Sequence, residues 1–245
     1  MTTMVRKDYS EHENDDPFGQ MVWDFYKDKP SFEAVEMDTG FLTAISPGPE
    51  WYFDEYNEWP EAEQKAVDIA EGKVLDLGCG AGRHSLYLQE EHEVLAIDLS
   101  KLALKTARER GVENIEKLDI REIDSLEQKF DTVLLLGNNF GLVGGFEEGR
   151  KFFSKLDRVT SKKSKIIAEA KPCDSKKEEK QHEDKNGLIY LEMRYRYKEH
   201  VGNWHKLYYY TKEQLERLIK PTKWKISDYI ESNDSSTYFA IIEKG

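Results

Sequence analysis

The run Val74-Leu75-Asp76-Leu77-Gly78-Cys79-Gly80-Ala81-Gly82-Arg83-His84-Ser85 constrains this chain more than any other stretch. Its first four residues read as a short buried strand. The glycines that follow read as a tight turn that opens a helix. Glycine at every second position strips side chains from one face of the turn, so a ligand can lie on the backbone. The N–H groups of such a turn and the positive end of the next helix favour an anionic group. The spacing narrows the ligand. The dinucleotide fingerprint is G-x-G-x-x-G, but Arg83 stands where its third glycine belongs and Gly82 comes one place early. The pattern is D-x-G-x-G-x-G. The glycines alone would also suit an ordinary strand-to-helix turn.

A second acidic residue falls in register. Asp98 ends the apolar run 94–97, twenty residues after Gly78, where a carboxylate can accept both hydroxyls of a ribose. The glycine run with Asp98 resembles motif I of the class I S-adenosylmethionine-dependent methyltransferases. The resemblance covers residues 60–245, and only its cofactor half is motif-specific. It implies an α/β fold, a doubly wound and mostly parallel sheet of seven strands in the order 3-2-1-4-5-7-6. It implies S-adenosyl-L-methionine as cofactor, held by Asp76, Gly78, Cys79, Gly80, Gly82, Asp98 and Leu99. Asp119 would accept the adenine N–H and Ile120 would lend its backbone N–H. Gly137 and Asn138, at the end of strand four, would face the cofactor's reacting end. Asp119 could equally cap a helix, Cys79 could be a small residue packed under the loop, and Arg83 and His84 could be solvated or capping.

Alternation of strand and helix supports the parallel sheet. Strands are expected at 74–77, 94–98, 114–118, 130–136 and 165–170, and helices at 61–71, 84–91, 100–110 and 146–160. The run Val133-Leu134-Leu135-Leu136 has the continuous apolar character of a central strand. Beyond residue 170 the pattern changes. Residues 175–185 contain no apolar side chain and read as solvated. Segments 188–197 and 204–210 read as an added antiparallel hairpin, so the insertion spans about 172–210. A capping box at Thr211-Lys212-Glu213-Gln214 opens a helix, and 224–230 with 237–242 close the sheet. Residues 1–60 form a separate cap segment that holds twelve of the 29 aromatics, too many for a floppy tail. Trp51, Tyr52, Phe53 and Tyr56 are expected to form a lid over the cofactor and its acceptor.

Composition excludes several classes. The formal net charge of −12 repels nucleic-acid backbones, so no nucleic-acid partner is expected. No apolar run has the length of a membrane helix, and the N-terminus lacks a signal-peptide core, so the chain reads as cytoplasmic with no membrane partner. Two cysteines make neither a disulfide framework nor a zinc set, and no metal is expected.

Methyl transfer from a sulfonium is an in-line displacement that depends on positioning in a dry pocket. Catalytic candidates are therefore few. The run Gly137-Asn138-Asn139-Phe140-Gly141-Leu142 resembles the strand-four loops of small-molecule methyltransferases, which makes Asn138 and Asn139 candidates to orient an acceptor. Both could also be simple turn residues. Gly141, Gly144 and Gly145 would let this loop move. His205, on the hairpin, is a candidate base, although a lone hairpin histidine serves structure as readily. The leading expectation is an S-adenosylmethionine-dependent methyltransferase with a small-molecule acceptor. A protein or RNA methyltransferase, or a non-enzymatic binder of the cofactor or its demethylated product, are the alternatives.

Overall fold

Asp16 starts the first described element of the computed structural model, which describes residues 15–46, 48–173, 181–233 and 237–245. Its carboxylate accepts from Gly19 N at 2.9 Å and Pro17 stands at N1, so helix α1 (Pro17–Tyr26) has both signals of a helix start. A hairpin of β1 (Glu33–Met37) and β2 (Leu42–Ile45) follows. Two 3-10 turns, Pro49–Phe53 and Tyr56–Glu58, lead to α2 (Glu61–Val67).

Then comes the alternating core: β3 (Val74–Leu77), α3 (Arg83–Leu88), β4 (Val94–Asp98), α4 (Lys101–Arg110), β5 (Ile115–Lys117), β6 (Phe130–Leu135), α5 (Phe146–Val159) and β7 (Thr160–Ala170). The C-terminal third holds β8 (His182–Glu183), β9 (Ile189–Tyr197), β10 (His200–Val201), β11 (His205–Tyr209), α6 (Lys212–Ile219), β12 (Trp224–Glu231) and β13 (Tyr238–Lys244). Part of the apolar-free segment expected at 175–185 lies outside the described residues.

The main sheet has the order β12-β13-β7-β6-β3-β4-β5. In chain order of its strands this is the expected 3-2-1-4-5-7-6 arrangement. Strands β5, β4, β3, β6 and β7 run parallel, and β13 enters antiparallel between β7 and β12. Leu75, Leu77, Val133, Leu134, Leu135, Ile166 and Ile167 are wholly buried, because helices cover both faces. Each contributes about 1.5–3 kcal/mol by leaving water.

A second, antiparallel sheet corrects the expected separation of cap and hairpin. Its centre is β9. On one side β9 pairs with β1, Val35 opposite Tyr195 and Met37 opposite Met193. On the other it pairs with β11, Tyr190 opposite Tyr208 and His205 opposite Met193. The N-terminal segment and the insertion therefore build one cap. Period-two reading could not find β1, because its solvent-side residue is Glu36, neutralised at 2.9 and 2.8 Å by Arg194 and Arg196 of β9. Helix α1, also unexpected, buries Met21 and Val22 against Ala81 and Tyr197, and so fastens the cap to the glycine turn.

Asp16 ties the cap to the core a second time. Its Oδ2 accepts from Ser100 Oγ at 2.8 Å and from Leu102 N at 3.2 Å, while Ser100 Oγ itself accepts from Ala103 N. One carboxylate thus caps α1 and supports the cap of α4. Asp16→Ala is expected to lower stability by about 1–3 kcal/mol. The midpoint of urea unfolding should fall at an unchanged slope, and an unmoved midpoint would contradict this double role.

Candidate active site

The carboxyl ends of β3, β4 and β6 open on one side of the main sheet, and the cap sheet closes over them. Between them lies a cavity of about 870 Å³. Its floor includes Asp76, Gly78, Gly80, Asp98, Asp119 and Gly137. Its roof includes Phe18, Trp51, Tyr52, Tyr195, His205 and Tyr208. This is the switch-point crevice of an open α/β sheet, where the strand order reverses between β3 and β6.

The three glycines of the turn have three different reasons to be glycine. All have positive φ, +76° at Gly78, +55° at Gly80 and +80° at Gly82. At Gly78 a Cβ would meet Asn139 Nδ2 at 2.4 Å. At Gly82 it would meet Val112 Cγ2 at 2.6 Å, so Gly82 serves the packing of α4 and does not line the cavity. At Gly80 the nearest atoms are Phe18 and Tyr52 at 3.7 and 3.8 Å. That face is open to the cavity and is the cradle a side chain would fill. Cys79 beside it is 6% exposed, and burial pushes its thiol well up.

Asp98 accepts from Gly80 N at 2.9 Å with one oxygen and from Ser100 N at 2.8 Å with the other. It therefore fixes the turn and starts α4 while presenting free lone pairs to the cavity. Burial pushes its carboxyl up to about 6, against the pull of those two N–H groups. Asp76 is 2% exposed and accepts from Ser85 Oγ at 2.5 Å, and burial raises it too. Asp119 caps the 3-10 helix Ile120–Ser125 through Arg121 N at 2.8 Å and pairs with the Arg121 guanidinium. That hydrogen bond holds its carboxyl below the usual range. It lines the cavity as well, with Leu99 and Ile120 close by.

Several expected roles move. Asn139 Nδ2 donates to Leu77 O and Gly78 O at 3.1 and 2.9 Å, so it holds the glycine turn while also lining the cavity. Asn138 takes φ +59° to start the turn Asn139–Val143 and does not line the cavity. Gly141 is not a hinge: a Cβ there would sit 2.5 Å from Tyr208 O, because the loop is packed tightly on β11. Trp51 and Tyr52 line the cavity, but Phe53 and Tyr56 do not. Phe53 packs on Phe25 at 4.7 Å under the Arg110 guanidinium. Tyr56 stacks on Tyr87 at 4.4 Å and donates to Asp68. His205 lines the cavity, and its ring lies nearly parallel to that of Tyr195 at 6.0 Å. Burial lowers its pKa.

Arg83 and His84, with Glu63 and Glu169 that the sequence did not single out, complete the site. Arg83 is neither solvated nor a cap. It is 5% exposed, ion-paired to buried Glu63, and its Nη1 donates to Trp51 O at 2.9 Å. Its guanidinium lies 4.3 Å from the Trp51 ring centroid. His84 Nε2 lies 2.7 Å from the same Glu63 oxygen. This buried group aims Trp51 into the cavity. Glu169, at the end of β7, accepts from Gly137 N at 2.5 Å, and burial pushes it up to about 7. The signal for the Arg83 contacts was the acidic Glu63 on the helix before β3, but its partner lies twenty residues away and no local pattern joins them.

The residues present fit an adenosine-bearing sulfonium. The cradle at Gly80, the free lone pairs of Asp98 and the apolar Leu99 and Ile120 would hold the nucleoside. The cavity's unpaired acids, Asp76 and Asp98, suit a cationic amino acid end. A family model described as a methyltransferase domain matches residues 74–163. The Bacillus subtilis (strain 168) protein YqeM, a methyltransferase by assignment, is 34% identical over 112 residues, 44% of each chain. A phosphatidylethanolamine N-methyltransferase of Cereibacter sphaeroides is 30% identical over 123 residues, 47% of this chain and 59% of that one. The matched stretches thus span about half the length of these relatives. A Bacteroides fragilis S-adenosylmethionine-dependent methyltransferase, solved with S-adenosyl-L-homocysteine, superposes with a TM-score of 0.82 at 26% identity, covering 94% of this chain and 95% of that one. Its coverage includes the cap.

The Asp98 carboxyl generates a pH test. Ribose hydroxyls donate to its ionised form, and its pKa of about 6 places the loss of that form just below neutrality. The dissociation constant for S-adenosyl-L-homocysteine should be flat above about pH 7 and should weaken about tenfold per unit well below pH 6. Calorimetry across this range measures it, and a flat constant down to pH 5 would show that Asp98 does not hold the ligand as a carboxylate.

Proposed function

Since this chain belongs to the class I S-adenosylmethionine-dependent methyltransferases, we propose that it transfers a methyl group from that cofactor to a small molecule held under the aromatic roof. The carrying observation is the cavity itself. It joins the nucleoside cradle at Gly80 and Asp98 to a compartment walled by Trp51, Tyr195 and His205. The cofactor, when bound, supplies an electrophilic methyl on a positively charged sulfur. Everything else asked of the protein is binding, alignment and exclusion of water.

The walls divide that work. Asp98 and Gly80 fix the nucleoside, and Asp76 draws the cationic amino acid end. Trp51 presents an aromatic face suited to positive charge. Its ring lies 4.3 Å from the Arg83 guanidinium and touches the turn after β6, with Cη2 3.2 Å from where a Gly137 Cβ would be. His205 keeps a neutral imidazole at neutral pH, because burial disfavours its cation. Its Nδ1 faces Asn203 O at 3.3 Å. The tautomer consistent with that contact leaves Nε2 as an acceptor toward the cavity. His205 thereby orients an acceptor N–H or O–H. Asn139 commits its Nδ2 to the glycine turn and lines the same cavity.

A small acceptor is favoured over a macromolecule by the roof, which covers the carboxyl edge where a protein or RNA would have to enter. Net charge of −12 further opposes RNA. The name of the Cereibacter sphaeroides relative records an amine acceptor, a chemistry the aromatic walls can also take. No helix among the described residues is long and apolar enough to cross a membrane.

Incubation with methyl-labelled S-adenosyl-L-methionine and a cell metabolite extract should place label in the low-molecular-weight fraction. Label confined to protein or RNA would move the acceptor class, and no label in any fraction, with cofactor binding intact, would favour a non-enzymatic binder.

A further inference from the structure

We propose that Arg110 is a positioning residue for the cofactor, a clasp that sets the height of the slot between the glycine turn and the roof. The inference rests on the reading of this cavity as the cofactor site and adds what holds that cavity at its working width.

Arg110 is the last residue of α4. It is half-buried and does not line the cavity. Its Nη1 donates to Ala81 O at 2.8 Å, inside the glycine turn, and to Tyr52 O at 3.3 Å. Its Nη2 donates to Phe53 O at 3.3 Å. One guanidinium thus joins the floor of the slot to the turn Pro49–Phe53 of the roof. The group suits this task, because its N–H donors form a rigid planar fork, whereas a lysine ammonium is a single point on a flexible stem. Among the described residues Arg110 forms no ion pair, in contrast to Arg83, which is paired to Glu63. Its charged donors are spent on backbone carbonyls, and the positions of those carbonyls are what it fixes.

Those positions bear directly on the ligand. Where a Gly80 Cβ would stand, the nearest atoms are Phe18 Cζ at 3.7 Å and Tyr52 Cδ1 at 3.8 Å. The Tyr52 ring therefore lies over the cradle. The same nitrogen holds the carbonyl of Tyr52 and that of Ala81, the residue after Gly80. The guanidinium also lies 4.7 Å from the Phe53 ring centroid, which steadies the end of the roof turn. Arg83 donates to the preceding carbonyl, Trp51 O, so two core arginines take three successive carbonyls of that turn. Of the two, Arg110 is the one that also takes a carbonyl of the glycine turn.

The clasp acts through preorganisation. With floor and roof tied to one rigid group, the slot exists before the ligand arrives. Without it, Tyr52 must be ordered over Gly80 as the ligand enters, and that ordering is subtracted from the affinity.

Calorimetry with S-adenosyl-L-homocysteine on full-chain variants tests this. Arg110→Ala should weaken the dissociation constant by about 10- to 100-fold. Arg110→Lys keeps the charge but only one point of attachment, so it should still lose about threefold or more. Guanidinium ion at about 20 mM, far too dilute to unfold a domain, should restore affinity to Arg110→Ala by about threefold or more, and sodium ion at the same concentration should not. A merely structural arginine would leave the added ion without effect. That result, or wild-type affinity in Arg110→Lys, would overturn the proposal, and Arg110→Lys alone decides it if Arg110→Ala does not fold. Asp98→Ala, measured beside them, reports on the cofactor reading itself. Affinity lost in Asp98→Ala but kept in Arg110→Ala would overturn the clasp alone. Affinity kept in both would overturn the cofactor reading and the clasp with it.

Discussion

Three backbone pairings, Val35 with Tyr195, Glu36 with Arg194 and Met37 with Met193, carry the whole roof of the site. They join residues about 160 positions apart and convert an N-terminal segment and a C-terminal insertion into one antiparallel sheet. Without them β9 would have an open edge, and Tyr52 and Tyr195 would have no common wall. The bond at Glu36, accepting from both Arg194 and Arg196, fixes the register. A slip by one residue would turn Tyr195 away from the cavity and present Arg194 or Arg196 instead.

Under that roof the charges are arranged by depth. The carboxylates of Asp76 and Asp98 sit on the floor with hydrogen bonds from neutral donors only, so burial lifts both. Arg83, which lines the same cavity, is neutralised by Glu63 and lies against the Trp51 ring. The result is a negative floor and an aromatic roof, an environment suited to a ligand that carries positive charge at one end. The same arrangement makes the apo protein hold strained acids. Ionised Asp98 costs stability as pH rises through about 6, and a ligand that donates to it offsets that cost.

The parts of this structure that were legible in the sequence are those built from local pattern. The run from Val74 to Asp98 contains a strand, a turn, a helix and the next strand in under thirty residues, and each has its own local signal. The sheet order followed from alternation and from the resemblance that the glycines and Asp98 carry. The roof was not legible, because β1 and β9 announce themselves only by pairing with each other. No local pattern marks Glu33 in the N-terminal segment or Tyr195 in the insertion. Gly78 and Asn139 both line the cavity, but their dependence on each other was not legible: Asn139 occupies the space that a side chain at residue 78 would need. Aromatic density marks residues 51–56 together; Trp51 and Tyr52 line the cavity, whereas the rings of Phe53 and Tyr56 pack outside it. One-residue steps around a 3-10 turn decide that, and composition does not see them.

A crystal structure of the chain with S-adenosyl-L-homocysteine tests the central claim most directly. The ribose is predicted to lie on Asp98 with the nucleoside across Gly80. The sulfur should face the compartment between Trp51, Tyr195 and His205, with β1 still paired to β9. A ligand bound outside this cavity, or inside it with its ribose away from Asp98, would contradict the assignment of both the cradle and the roof.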